Sequence, residues 1–225
     1  MRINVVKNVL NSNDVVAEKN REMFRKAGLL AVNLISSPGS GKTTLLEKTI
    51  PELGRDKRSV VLVGDLDTTR DAERLEPHAA EVTQINTGMS CHLYANQVSG
   101  SLEEGKLKGM DYLFIENVGN LVCPGEFDLG ENVKVVLLSL PEGDDKVAKY
   151  PTVFRVADVV LLTKVDLKDA LGMDTARIYE DLGKLNPGVK IFEISARCGK
   201  GMKEWIDWLK TERKKGVGVK ARKVE

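Results

Sequence analysis

Residues 29–44 read LLAVNLISSPGSGKTT, an apolar run that leads into a loop of serine and glycine. The run is typical of a buried strand, and the stretch 43–53 that follows is typical of an amphipathic helix. This order matches the phosphate-binding loop pattern G-x-x-x-x-G-K-[ST], except that Ser36 replaces the first glycine. We expect the loop and Lys42 to bind the phosphates of a nucleotide, with the Thr43 hydroxyl on Mg²⁺. The predicted phosphate contacts are Gly39, Ser40, Gly41, Lys42, Thr43 and Thr44.

The rest of the chain alternates short apolar runs with amphipathic stretches. Continuous runs of Val, Ile and Leu are typical of strands that are buried on both faces of a sheet. The alternation predicts an α/β protein with the three-layer P-loop NTPase fold, a mostly parallel sheet with helices on both faces. The predicted strands are 29–35, 60–63, 82–85, 112–115, 133–138, 159–162 and 189–194. The predicted helices are 13–27, 43–53, 91–107, 175–185 and 202–209.

Length and composition indicate one soluble domain. The chain has 225 residues, of which 42% are hydrophobic and 30% charged, and its net charge of +1 predicts neither nucleic acid nor membrane as a partner. Without a long apolar run or a signal peptide, we expect a cytoplasmic protein. We divide it into an N-terminal helical extension (1–28), a nucleotide-binding domain that carries the sites (29–210) and a solvated basic tail (211–225).

Carboxylates follow two of the predicted strands. Asp65 and Glu116 should therefore lie beside the phosphate loop and join Thr43 in binding Mg²⁺, which prefers oxygen ligands. Asp71 is a third candidate, for the metal or for the attacking water. Residues 116–119 (ENVG) stand in the place of the D-x-x-G switch of GTPases, with the Gly119 N–H available to the γ-phosphate. No glutamine stands where Ras-like enzymes orient the water, so we predict slow intrinsic turnover.

Two later segments indicate which base is bound. Residues 163–166 (TKVD) match the guanine-binding [NT]-K-x-D pattern, in which a carboxylate accepts hydrogen bonds from two guanine donors that adenine lacks. Residues 195–197 (SAR) resemble the segment that meets the guanine O6 in GTPases. Together they predict GTP as the nucleotide. The predicted base contacts are Thr163, Lys164, Asp166, Ser195, Ala196 and Arg197.

The cysteines and one histidine form a candidate metal site. Cys91 and His92 stand at the start of a predicted helix in polar surroundings, and Cys123 lies seven residues beyond Glu116. Thiolate and imidazole bind Zn²⁺ and Ni²⁺, yet small core side chains remain an equally good interpretation of these residues. Three donors fall short of the usual four, which water or a second subunit would complete. Cys198 is left out of the site.

The combination of motifs resembles the hydrogenase nickel-incorporation GTPases (HypB) of the SIMIBI class, from residue 36 to about 209. The resemblance implies an accessory protein that dimerises with GTP and passes Ni²⁺ towards a [NiFe]-hydrogenase large-subunit precursor, with a HypA-like metallochaperone as partner. It also implies that Cys91, His92 and Cys123 bind Ni²⁺ or Zn²⁺ at the dimer interface. The matching segments are 36–43, 64–65, 71–74, 86–88, 91–93, 114–124 and 142–146.

Two alternatives to this interpretation are enzymes and one is not. The urease nickel GTPases (UreG) place a histidine after the Cys-Pro pair, where Gly125 stands here, and a small-molecule kinase would need a lid that the sequence does not indicate. A nucleotide-gated binding module would bind GTP without using its hydrolysis. The first 30 residues contain no cysteine or histidine, so we expect no separate N-terminal nickel site.

Overall fold

The computed structural model describes residues 8–54 and 58–215. Its strands are β1 (Leu30–Ser36), β2 (Ser59–Asp65), β3 (Glu81–Asn86), β4 (Tyr112–Glu116), β5 (Val133–Ser139), β6 (Val159–Thr163) and β7 (Lys190–Ile194). Its α-helices are α1 (Asn8–Ala27), α2 (Lys42–Glu52), α3 (Arg70–Leu75), α4 (Ala95–Gly100), α5 (Glu104–Leu107), α6 (Lys146–Lys149), α7 (Pro151–Arg155), α8 (Ala176–Leu185) and α9 (Met202–Lys214). Short 3₁₀ turns cover Cys123–Gly125, Leu140–Glu142 and Val165–Leu167. No helix in the described ranges has the length and apolar character needed to cross a bilayer.

The strands form one sheet in the order β3-β2-β4-β1-β5-β6-β7, and every neighbouring pair is parallel. This confirms the predicted fold and all seven predicted strands. Strands β1 and β5 are buried along their whole length, as their continuous apolar runs predict. Because all strands run the same way, their carboxyl ends and the loops that follow meet along one edge of the sheet.

Helices cover both faces of the sheet. On one face, Leu46 of α2 and Trp205 of α9 pack in one buried cluster with strand residues, and the Trp205 indole donates to Thr49 Oγ1 over 3.1 Å. On the other face, Phe24 of α1 packs in one cluster with Val98 of α4. Each such side chain contributes about 1.5–3 kcal/mol of transfer free energy on burial.

The predicted helix 91–107 is wrong. Residues 91 and 92 lie in a bend, and the helical part is split between α4 and α5. The bend persists because side chains from elsewhere occupy the backbone N–H groups. Leu93 N donates to Asn117 Oδ1 over 3.2 Å, and Ala95 N donates to Asn13 Oδ1 over 2.9 Å. The Ala95 contact takes the place of the bond to the Cys91 carbonyl that a helix from residue 91 would have formed, and the Leu93 contact satisfies an N–H that has no partner within the first turn of such a helix.

Both ends of the described chain are more helical than the sequence predicts. Helix α1 begins at Asn8, so Asn13, where the predicted helix starts, lies within it and has a buried side chain. Gly28, at φ 68°, follows the last residue of α1, which is also where the predicted helix ends. Helix α9 continues to Lys214, within the segment predicted as a solvated tail, and Arg213 Nε donates to the Asp111 carbonyl over 3.0 Å. Residues 216–225 of that tail lie outside the described residues.

Candidate functional site

The loop between β1 and α2 has the geometry of a phosphate-binding loop. Gly39 and Gly41 adopt φ 75° and 100°, a left-handed backbone that other residues rarely adopt. Lys42 opens α2, is buried, and donates from Nζ to the Ser36 hydroxyl over 3.2 Å. The hydroxyl that replaces the first glycine of the pattern therefore holds the lysine in place.

A cleft of about 500 Å³ opens above this loop and contains the predicted catalytic residues. It is lined by Lys42, Thr43, Thr44, Asp65, Asp71, Glu116 and Gly119, together with Arg74. Arg74 was not predicted. Its guanidinium donates to Glu47 over 2.7 Å and to Thr44 Oγ1 over 3.0 Å, which holds a second positive charge beside the loop.

Glu116 is the buried acid of the cleft. Its Oε1 accepts from Thr43 Oγ1 over 2.8 Å, while its Oε2 is buried without a hydrogen-bond partner among the described residues. Burial raises the pKa of Glu116 to about 7, although Lys42 and Thr43 act in the opposite direction. Burial likewise lowers the pKa of Lys42. A free carboxylate oxygen beside a hydroxyl is an oxygen donor set that fits Mg²⁺, and the buried ammonium fits a phosphate.

Asp65 has a different position from Glu116. Its Oδ1 accepts from the backbone N–H groups of Asp67 and Thr68 over 3.0 and 2.7 Å, so the carboxylate shapes the loop after β2 while it lines the cleft. Asp71 lies near Arg74 at 3.4 Å. The structure thus places the three predicted acids in one cleft, with Glu116 the most deeply buried.

A second cleft, of about 250 Å³, brings together all six predicted base contacts. It is lined by Thr163, Lys164, Asp166, Ser195, Ala196 and Arg197, and shares Ser40, Gly41 and Thr44 with the phosphate loop. The Thr163 hydroxyl donates to the Ser40 carbonyl over 2.8 Å, which fixes the base-binding loop against the phosphate loop. A hydrogen bond from Ser195 lowers the pKa of Asp166, so this acid is a carboxylate, the form that accepts two hydrogen bonds.

Glu142 is a further contact of the phosphate loop that the site prediction missed. Its Oε1 accepts from Ser40 Oγ over 2.7 Å and from Ser139 N over 3.0 Å, which ties the end of β5 to the loop. Burial acts to raise the pKa of Glu142, but hydrogen bonds from Ser37, Ser40 and Ser139 outweigh it and lower that pKa. The only signal in the sequence was its place in the matching segment 142–146.

The structure brings Cys91, His92 and Cys123 together, with their ligand atoms all within 4.8 Å of one another. Cys91 Sγ lies 3.0 Å from Cys123 Sγ and 3.8 Å from His92 Nδ1. All three cysteines are free thiols, and Cys198 is exposed and lies outside this cluster. A soft-donor set of this kind suits Zn²⁺ or Ni²⁺.

The His92 ring packs against aromatic side chains, although polar residues precede it in the sequence. Its ring is stacked on Phe127 at 4.0 Å and meets the edge of Tyr94 at 4.4 Å, and its Nε2 is buried without a partner among the described residues. Burial lowers the pKa of His92, which favours the neutral imidazole that binds metals. A hydrogen bond with Cys91, and then burial, raises the pKa of Cys123, so a metal must displace a proton from this thiol.

Asn117, the residue after Glu116, connects the cleft above the phosphate loop (the nucleotide cleft) to the group of Cys91, His92 and Cys123 (the metal cluster). Its Oδ1 accepts from Leu93 N over 3.2 Å, next to His92, and its Nδ2 donates to Asn33 Oδ1 over 3.2 Å. On the same loop, Gly119 lies directly against the phosphate loop, because a Cβ at this position would lie 2.9 Å from Pro38 Cγ. One short segment therefore touches both sites.

The contacts of Asn33 continue this connection through the interior. Asn33 Nδ2 donates to Glu131 Oε1 over 3.3 Å, and Glu131 forms a buried ion pair with Lys134 at 3.5 Å. The Lys134 ammonium donates over 3.2 Å to the carbonyl of Phe127, the residue whose ring is stacked on His92. A continuous polar network thus extends from the loop after β4 to the residues that follow Cys123.

Known proteins with similar sequences and structures carry the same domain. Residues 30–193 match the family described as CobW/HypB/UreG, nucleotide-binding domain. A hydrogenase maturation factor HypB of Azotobacter chroococcum mcd 1 is 46% identical over 222 residues, which cover 98% of this chain and 72% of that protein.

Two solved structures are similar over most of their length. HypB from Helicobacter pylori, in complex with nickel, has 42% identity and a TM-score of 0.86 over 91% of this chain and 96% of its own. The hydrogenase maturation factor HypB from Archaeoglobus fulgidus has 44% identity and a TM-score of 0.84 over 91% of this chain and 100% of its own. With a phosphate loop, a base-binding cleft and a Cys–His cluster in one parallel-sheet domain, the chain belongs to the CobW/HypB/UreG family and is a relative of its HypB maturation factors.

Proposed function

We propose that this protein is a GTP-hydrolysing nickel metallochaperone for the maturation of [NiFe]-hydrogenase, and that it works in the cytoplasm as a nucleotide-dependent homodimer. The observation that carries the proposal is the segment from Glu116 to Cys123. It begins in the phosphate cleft and ends at a donor of the metal cluster. A change at the phosphates therefore has a short covalent path to the metal.

GTP fits the two adjoining clefts. Lys42 and the loop N–H groups would hold the phosphates, Thr43 and Glu116 would hold Mg²⁺, and Asp166 would accept the two guanine donors. Bound Mg²⁺ supplies positive charge to the phosphate oxygens. Asp71 lines the cleft and is our candidate for positioning the attacking water, while the Gly119 N–H would bind the γ-phosphate. We expect slow turnover, because no glutamine stands in the water-orienting position.

Nickel is the proposed cargo, and Zn²⁺ can occupy the same donors. Cys91, His92 and Cys123 provide two sulfurs and one imidazole nitrogen, and the Helicobacter pylori relative was solved in complex with nickel. A second copy of the chain or water would complete the coordination. The further partners we propose are a HypA-like metallochaperone and the hydrogenase large-subunit precursor, in keeping with the maturation role of the relatives.

Nucleotide and metal are coupled, in this proposal, through Asn117 and Gly119. A γ-phosphate that binds the Gly119 N–H would fix the loop after β4, and Asn117 would transmit that order to Leu93 and so to His92. Coupling of this kind is reciprocal, so metal binding would change the affinity for nucleotide by the same factor. Hydrolysis would release the loop and with it the ion.

Nickel titrations of the wild type and of Cys123→Ser, each with GDP and with a non-hydrolysable GTP analogue, test the proposal. In the wild type we expect nickel affinities that differ by about fivefold or more between the two nucleotides. Native mass measurements should find a dimer with the analogue and nickel. Cys198→Ser is the matched control, since this exposed cysteine lies outside the cluster. Equal affinities in both nucleotide states would refute the coupling, and unchanged nickel binding in Cys123→Ser would refute the site.

A further inference from the structure

Helix α1 lies outside the residues that the family match covers, yet two of its asparagines contact the metal-bearing segments. Asn13 lies within the helix, and its side chain is buried. Its Oδ1 accepts from Ala95 N over 2.9 Å, and its Nδ2 donates to the Asp128 carbonyl over 2.8 Å. Ala95 belongs to the segment that carries Cys91 and His92, whereas Asp128 belongs to the segment that carries Cys123. One amide therefore bridges both.

Asn20 repeats the bridge two turns further along the helix. Its Nδ2 donates to the Ala95 carbonyl over 2.8 Å and to the Leu129 carbonyl over 3.0 Å, and the side chain is 1% exposed. Both backbone polar groups of Ala95 are thus occupied by α1. A buried amide costs free energy unless its groups are paired, so these two residues fix where each segment lies relative to the other.

The segment that follows Cys123 packs closely against α1 at Gly130. A Cβ at Gly130 would lie 2.5 Å from the Ala17 carbonyl oxygen and 2.6 Å from Asn20 Cβ, and φ is 89° there. Arg21 adds an ion pair with Asp128 at 2.6 Å. A displacement of α1 therefore displaces the chain that leads back to Phe127 and Cys123.

We infer that helix α1 is a clamp for the metal cluster, in which Asn13 and Asn20 are positioning residues that hold the Cys91–His92 segment and the Cys123 segment at ligating distance. The inference rests on the proposed function, because it takes Cys91, His92 and Cys123 as the ligands. Neither asparagine lines the nucleotide cleft, so the clamp acts on metal affinity and leaves the affinity for nucleotide unchanged when nickel is absent.

The test measures nickel affinity of full-length Asn13→Ala and Asn20→Ala by competition with a chelator, and follows the thiolate-to-nickel absorption band. We expect affinity to fall by about tenfold in each, as for residues that orient ligands through hydrogen bonds. Val15→Ala is the matched control on the same helix, since Val15 is 60% exposed. Leu209→Ala in α9 controls for lost stability, because this buried residue packs in a different cluster.

Two further measurements separate a clamp from a merely structural helix. Gly130→Ala should displace α1 without removing either asparagine, and should weaken nickel binding like Asn20→Ala. In the wild type, nickel should slow hydrogen exchange of the α1 amides, because the coupling is reciprocal. Without nickel, binding of a fluorescent GDP should be the same in all variants.

Three results bear on the clamp and the proposed function separately. If Asn13→Ala, Asn20→Ala and Gly130→Ala all bind nickel as tightly as Val15→Ala, the clamp is wrong. If Leu209→Ala weakens nickel binding as much as they do, the effect is general stability and the clamp is again wrong. Cys123→Ser is measured in parallel: if it too binds nickel normally, the proposed metal site is what fails.

Discussion

The replacement Asn117→Ala tests the connection between the two sites most directly. Asn117 is 1% exposed, and its amide binds Leu93 N, Val118 N and Asn33 Oδ1. Alanine would leave the Leu93 N–H, the Val118 N–H and the Asn33 oxygen buried without their present partner, and each such loss costs about 1–3 kcal/mol. The free energy of unfolding should therefore fall by about 3–9 kcal/mol. Domains of this size have about 5–15 kcal/mol available, so we expect a folded but weakened protein.

The assay has two parts, because stability and coupling must be separated. Urea unfolding gives the change in free energy. Nickel titrations with GDP and with a GTP analogue give the ratio of affinities, which a coupling of about 1–3 kcal/mol would set at roughly 5–150 in the wild type. In Asn117→Ala we expect that ratio to fall towards 1, while Cys91, His92 and Cys123 still bind the ion.

The control substitution should lower the free energy of unfolding by a similar amount, at a position far from the loop after β4. Leu209→Ala meets this need, because Leu209 is fully buried in α9 and such truncations cost about 2–5 kcal/mol. Its affinity ratio should stay at the wild-type value. If Asn117→Ala kept the wild-type ratio as well, the hydrogen bond to Leu93 would not carry the coupling, and the reasoning would fail.

Three further substitutions test the clefts. Gly119→Ala should weaken nucleotide binding at least about tenfold in fluorescent-GDP titrations, because its methyl group would lie 3.0 Å from Pro38 Cα; wild-type affinity would contradict this. Asp166→Asn should lose GTP and gain xanthosine triphosphate in competition assays, because an amide offers a donor where the carboxylate only accepts; retained preference for GTP would exclude Asp166 as the discriminator. Burial raises the pKa of Glu116 from 4.5 to about 7 in the folded protein. The stability that its protonated form contributes is therefore complete below pH 4.5 and is lost as the pH rises through about 7. Nucleotide-free protein should therefore lose about 3 kcal/mol of unfolding free energy across that range in urea titrations, and Glu116→Gln should not.

The features that were predicted correctly are those that depend on residues close together in the sequence. The seven strands follow from apolar runs, and the phosphate loop follows from Gly39, Gly41 and Lys42 at fixed spacing. The base-binding cleft was equally predictable, since residues 163–166 and 195–197 each follow a strand and parallel strands end on one edge. Local pattern and fold topology together determine such sites.

The features that the sequence missed depend on contacts between distant residues. Asn13 binds Ala95 across 82 positions, and Ser40 binds Glu142 across 102. No spacing rule connects such residues, and the sequence alone does not distinguish a buried asparagine from an exposed one. The wrong helix at 91–107 has the same cause, since Asn13 binds the Ala95 N–H that the helical pattern would have paired with the Cys91 carbonyl.

The donor count of the metal cluster agrees with a carrier better than with a structural zinc site. Within the described part of the chain, the cluster offers three ligand atoms, whereas structural zinc sites usually have four. Where water completes the coordination, a donor of the recipient would replace it, so the ion would leave by ligand exchange without first becoming free. The neutral amides of Asn13, Asn20 and Asn117 fix the segments through the backbone without adding ligands. In the proposed carrier the fold thus fixes the positions of the three ligand atoms, while the chain itself leaves the coordination of the ion incomplete.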